Sequence, residues 1–170
     1  MATSSLHLPK FQVAVDILLR GKASPEKAIV FVSGQHDRDF RQQRVIDLLE
    51  SPEPFLTVHE VSLNAFALYH KMSIIWVSMP IKDGMVPLEE SAEMPEESLL
   101  FDTRKRVKIE MMERGFVEGY MLYSAPSSRC RVSDFLNRPE RYLCLWTESD
   151  LLFLNKWFIL RLQDLTEKNA

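Results

Sequence analysis

Arg44-Val45-x-Asp47-Leu48-Leu49-x-x-Pro52-Glu53-x-Phe55-Leu56 returns further along the chain as Arg131-Val132-x-Asp134-Phe135-Leu136-x-x-Pro139-Glu140-x-Tyr142-Leu143. Seven of these thirteen positions are identical, and two more exchange Leu for Phe or Phe for Tyr. The match extends outward in both directions. Val13-x-Val15-Asp16-x-Leu18-x-Arg20-Gly21 corresponds to Val107-x-Ile109-Glu110-x-Met112-x-Arg114-Gly115, and Lys71-x-x-Ile74-x-x-Val77 to Lys156-x-x-Ile159-x-x-Leu162. The second copy is the shorter, and its deletions fall between the matched blocks, where loops tolerate length changes. Two units follow, at residues 13–77 and 107–162. A unit of about 60 residues buries only about 60% of its unfolded surface. The copies are therefore expected to pack on each other as an internal pseudo-dimer.

Each unit alternates apolar and polar residues. Phe11, Val13, Val15 and Ile17 are separated by Gln12, Ala14 and Asp16, and Val107, Ile109 and Met111 by Lys108 and Glu110, the pattern of half-buried strands. Second strands follow at 29–33 and 120–124. The repeated block then changes period: Val45, Leu48 and Leu49, like Val132, Phe135 and Leu136, stand at i, i+3 and i+4. That spacing predicts a short helix ended by Pro52 or Pro139. Third strands follow at 55–61 and 142–147. Segments 66–69 with 73–79, and 151–154 with 158–162, then read as hairpins. The expected class is mainly β (α+β), each unit β-β-short α-β-β-β, as an SH3-like small barrel or half-sandwich. An Sm-type barrel carries its helix before the first strand, so the helix here is differently placed. The boundaries read 1–79 for the first unit, 80–103 for a connector and 104–170 for the second unit.

The connector holds three prolines and seven acidic residues against Lys82, a composition that discourages packed structure. The chain carries a net charge of −3, which argues against nucleic acid as a general partner. Residues 1–10 lack the apolar core of a secretory signal, and no apolar run reaches the about 18 residues of a membrane span, so the expected location is cytoplasmic, without membrane insertion. Cys130 and Cys144 are too few for a disulfide framework. Cys144, inside an apolar run, reads as a small buried thiol.

No catalytic constellation stands out. The Gly-rich phosphate loops and nucleophile elbows are absent among only five glycines, and His36, His59 and His70 lack metal-ligand spacing. No catalytic residue, metal or cofactor is expected. Arg44 with Asp47, and Arg131 with Asp134, sit three residues apart on one helical face, as ion pairs or as a polar site repeated across a pseudo-two-fold axis. The loop with His36, Asp37 and Arg38 has no counterpart in the second copy, whose matching region holds Arg129 and Arg131. Trp76 and Trp146 fall where alternation predicts the face away from the core, a common mark of an interface, either the contact between the two units or a surface for an external partner.

Arg131-Val132-Ser133-Asp134-Phe135-Leu136-Asn137, with Tyr142-Leu143 and Asn155-Lys156-x-x-Ile159, resembles a small bacterial domain of unknown function. The first copy departs from it with Glu50 in place of Asn137 and His70 in place of Asn155. The resemblance implies no activity. From the residues, the expected role is a non-enzymatic protein-interaction adaptor or regulatory protein. Its partner is another protein, with Trp76, Trp146, His36, Asp37 and Arg38 as contact residues and self-association left open. The alternative is a sensor holding a small anionic ligand between the units at Arg44, Arg129 and Arg131.

Overall fold

Alternation in the first segment becomes β1 (Lys10–Leu19), which buries Val13, Val15 and Ile17. A computed structural model describes residues 10–33, 41–81, 103–112, 114–124 and 131–166. After β1 come β2 (Glu26–Ser33), α1 (Arg41–Glu50), β3 (Phe55–Glu60), β4 (Ala65–His70) and β5 (Ile74–Pro80). The second half repeats the order with β6 (Thr103–Met111), β7 (Gly115–Tyr123), α2 (Val132–Leu136), β8 (Tyr142–Trp146), β9 (Asp150–Asn155) and β10 (Ile159–Asp164). The molecule is mainly β. Gly21 and Gly115 take positive φ, +80° and +72°, next to the turns that follow β1 and β6. A side chain is strained there, which accounts for glycine closing the first strand twice.

All ten strands join one antiparallel sheet in the order β10-β6-β7-β8-β9-β5-β1-β2-β3-β4. The first half runs β5-β1-β2-β3-β4 and the second β10-β6-β7-β8-β9, so both follow one path. They are joined where β5 pairs with β9, Trp76 opposite Leu154 and Met79 opposite Leu151.

Three expectations are corrected. The segments read as hairpins do not pair with each other: among the described residues β4 pairs with β3 alone, and β5 pairs with β1 and β9. A 3-10 turn at Lys71–Ser73, and another at Lys156–Phe158, diverts the chain away from the strand it has just left. Both turns are capped alike, with His70 Nδ1 accepting from the Met72 N–H and Asn155 Oδ1 from the Trp157 N–H. The second correction concerns symmetry. The junction uses different edges of the two halves, so no two-fold axis relates Arg44 to Arg131. The third is register. Ala14 and Arg106 lie opposite Ile29 and Tyr120, which in turn face His59 and Trp146. These pairings move the first-strand match by two residues from the one the Arg-Gly ends suggest. A slip of two keeps every side chain on its face, so the alternation survives.

Two apolar clusters result. One holds the interior of the second half, including Val107, Ile109, Leu143, Leu145 and Val132, and takes in Leu18 and Ile75 from the first. The other holds the first half's interior with Val45 and Leu49 of α1, and continues into Tyr142, Trp146, Leu151 and Phe153 of the second.

Candidate functional site

That second cluster defines the site by contrast. Tyr142, Cys144 and Trp146 on β8 share a face with Leu151 and Phe153 on β9, by their cross-strand pairs. This is the outer face of the second half, and the first half covers it. Leu151 is 3% exposed, Phe153 0% and Trp146 5%. The register of β3 with β4 is the same as that of β8 with β9. Phe55 faces His70 as Tyr142 faces Asn155, and His59 faces Phe66 as Trp146 faces Leu151. The matched face of the first half is Phe31, Phe55, His59, Phe66 and Leu68, and no described residue covers it. Phe66 is 70% exposed and Leu68 66%, beside the half-exposed Phe55. Phe66 packs against Phe31 at 5.8 Å and His59 at 5.2 Å between ring centroids, so these side chains form one patch. A hollow between them and α1 is lined by Phe31, Leu48, Phe55 and Phe66. The outer edge of β4 borders the patch with backbone that pairs with no described strand.

Polar contacts fix the junction. The Glu50 carboxylate at the end of α1 accepts from the backbone N–H groups of Arg141 (2.9 Å) and Tyr142 (2.6 Å). Asn155, wholly buried, donates through Nδ2 to the Ile74 carbonyl at 2.9 Å. Burial pushes the Tyr142 hydroxyl pKa well above the ordinary phenol value. Burial likewise pushes the Cys144 thiol up to about 12, with the Glu50 charge adding to it. Such a thiol is inert as a nucleophile at neutral pH.

The lysine kept in both copies acts on structure. Lys71 Nζ donates to the carbonyls of Leu48 and Ser51, each at 2.9 Å, and to Ser51 Oγ at 2.7 Å, capping the C-terminal end of α1. Lys156 Nζ reaches the carbonyls of Leu136, the last residue of α2, and of Arg138 beyond it, at 3.0 and 2.7 Å. Burial lowers the pKa of both amines. The repeated Lys-x-x-Ile contained this signal, but only the fold shows which carbonyls the lysine reaches.

The sequence-derived candidates fall in different places. Trp146 is buried at the junction, so it seals the contact between the halves and is not a contact residue for an outside partner. Alternation places it on the outer face of the second half, and that face lies under the first. Trp76 is half-buried in the strand that makes the junction. The exposed tryptophan is Trp157, in the turn before β10. Arg131 is exposed at the start of α2. Arg129, His36, Asp37, Arg38 and most of the connector lie outside the described residues, as does the side chain of Arg44. A cavity of about 370 Å³ opens at the junction among Ile46, Phe135, Tyr142 and Trp146. The cations on its wall, Lys156 and Arg138, already donate to backbone carbonyls, and Arg138 stacks on Phe135. Among the described residues no His, Cys, Asp and Glu cluster could hold a metal ion, and no helix is long and apolar enough to cross a membrane.

Sequence reasoning passed over Phe66 and Leu68. The run Ala65–His70 has no acidic residue, lysine or arginine on either face, the pattern of a strand meant to be covered on both sides. Comparison with protein-family models, with curated proteins and with solved structures found no match.

Proposed function

We propose that the chain consists of two tandem copies of one small SH3-like unit and works as a non-enzymatic protein-interaction module, docking a partner on the outer face of its first unit. The shared strand order, the matched 3-10 turns and the paired lysine caps support the duplication. The observation that carries the docking surface is the apolar face of β3 and β4 around Phe66 and Leu68, whose counterpart in the second unit is fully covered by protein. Contiguous exposed aromatic and aliphatic side chains beside an unpaired strand edge are features that strand-adding partners use.

The alternative, a sensor for a small anion between the units, draws support from the junction cavity, but the cations on its wall are already engaged and its lining is mainly apolar. The docking reading is tested by affinity capture with Phe66→Ser/Leu68→Ser beside the wild type. A protein held by the wild type, whether a second copy or a foreign chain, and lost from the variant is the expected result. Equal recovery by both, or recovery of the bait alone under gentle conditions, contradicts it.

A further inference from the structure

From the way the two halves meet, and resting on the interaction reading above, we infer that the partner is a second copy of this chain, with β4 of one molecule adding to β10 of the next. The junction inside the molecule pairs a fourth strand, β9, with a fifth strand, β5. The strands left at the two ends of the sheet are the other fourth strand, β4, and the other fifth strand, β10. Among the described residues, the molecule thus leaves unpaired the two complementary parts of a contact it has already made once.

Side chains repeat the argument on both parts. On β4, Phe66 and Leu68 take the places of Leu151 and Phe153, which the junction buries. On β10, Leu160 takes the place of Ile75, and it is 57% exposed where Ile75 is 1%. Each exposed residue remains large and apolar. The receiving surface is also present. A hollow beside α2 and β10 is lined by Arg131, Val132, Ser133, Leu136, Leu162 and Asp164. Arg131 is matched by Arg44, and the others by Val45, Ile46, Leu49, Val77 and Met79; these five belong to or pack on the cluster that holds Leu151 and Phe153, with Val77 opposite Phe153 and Met79 opposite Leu151. Carrying the junction register over puts Leu68 of one copy opposite Leu162 of the next, and Phe66 opposite Asp164. The Asp164 charge is already met by Lys105 at 3.4 Å. Two polar anchors differ, since Glu50 is matched by Asn137 and Arg141 by Pro54, which has no N–H. The contact between copies is accordingly weaker than the internal one and depends on concentration. Because it joins unlike edges it is heterologous, and it propagates into a ring or a filament.

The test is sedimentation equilibrium on the full chain and two edge variants, Phe66→Lys/Leu68→Lys on β4 and Leu160→Lys on β10, with circular dichroism to show that each is folded. All three positions are more than half exposed, so neither variant should unfold the chain. The wild type is expected to exceed 19.8 kDa, rising with concentration from about micromolar to several hundred micromolar. Each variant alone is expected to remain at 19.8 kDa. Mixed together, the two variants are expected to form a dimer, because each retains the edge the other lacks. A Leu160→Lys protein that still self-associates points to a β4–β4 contact and overturns the proposal. So does a wild type that stays monomeric throughout. If that monomer still captures a foreign protein through Phe66 and Leu68, the interaction reading stands and only the second copy is excluded; if it captures nothing, both fail.

Discussion

The outer faces of β3–β4 and β8–β9 share register, pairing and position in their halves, but one lies in solvent and the other is core. Phe153 and Leu68 are the sharpest pair: matched positions on matched strands, one sealed under the other half of the chain and one open. Burial here is decided by what the neighbouring half brings to the strand edge. The apolar character of the open face is then a property needing its own reason, since scattered exposed leucines are ordinary but a joined patch of Phe31, Phe55, Phe66 and Leu68 is less so.

Removing the large side chain at each matched position breaks or sharpens this contrast most strongly. Phe153→Ala is expected to lower unfolding stability by about 3–5 kcal/mol in urea melts, since it leaves a cavity in the core. Leu68→Ala, measured at a concentration where the chain is monomeric, is expected to fall within about 0.5 kcal/mol of wild type. Equal losses would show that something in the same chain covers β4.

The polar contacts give the next largest difference. Glu50→Gln keeps the shape but removes the charge that holds two backbone N–H groups across the junction, and is expected to cost about 1.5–3 kcal/mol. Asn137→Ala, at the matched position of the second half, is expected to cost less than about 1 kcal/mol. The lysine caps should rank by burial. Lys71→Met is expected to cost about 1–2 kcal/mol because it frees buried carbonyls at the end of α1, and Lys156→Met about half as much. Thermal unfolding of the pair checks the order.

The last effect, absent at neutral pH, is a pH dependence. The Cys144 thiol has a folded pKa near 12, above its ordinary value of 9.0. The folded state therefore binds the proton more tightly. Its contribution is complete below pH 9 and is lost as the pH climbs toward 12. By pH 10 the loss is on the order of 1 kcal/mol. Cys144→Ala is expected to remove this component of the pH profile, and the native thiol is expected to resist alkylation at pH 8. Rapid labelling of Cys144 in the folded chain would mean that the β8 face is not covered.

Much of the architecture was legible in the chain itself. Alternation at Val13, Val15 and Ile17 located a strand and its inward face, and the i, i+3, i+4 spacing at Val45, Leu48 and Leu49 located the helix. The repeated Arg-Gly marked where the first strand of each half ends. What was not legible was contact between distant segments. Nothing local in Ser73 or Phe158 says that a 3-10 turn separates strands that would otherwise read as hairpins. The pairing of β5 with β9 depends on two edges that are far apart in sequence. The candidate site suffered for the same reason. Alternation puts Trp146 on the outer face, but whether that face is a seal between the units or an open surface depends on which element lies over it. Phe66 and Leu68 could have been found from the uncharged run around them, had that run been read as a strand requiring cover on both sides.

Hydrogen exchange followed by mass spectrometry, at a low and a high concentration of the full chain, tests the central claim most directly. The account predicts that protection in peptides spanning β4 and β10 rises with concentration, by about the same factor in both, while β5 and β9 stay protected throughout. Protection that grows on β4 but not β10, or on neither strand at any concentration, would contradict it.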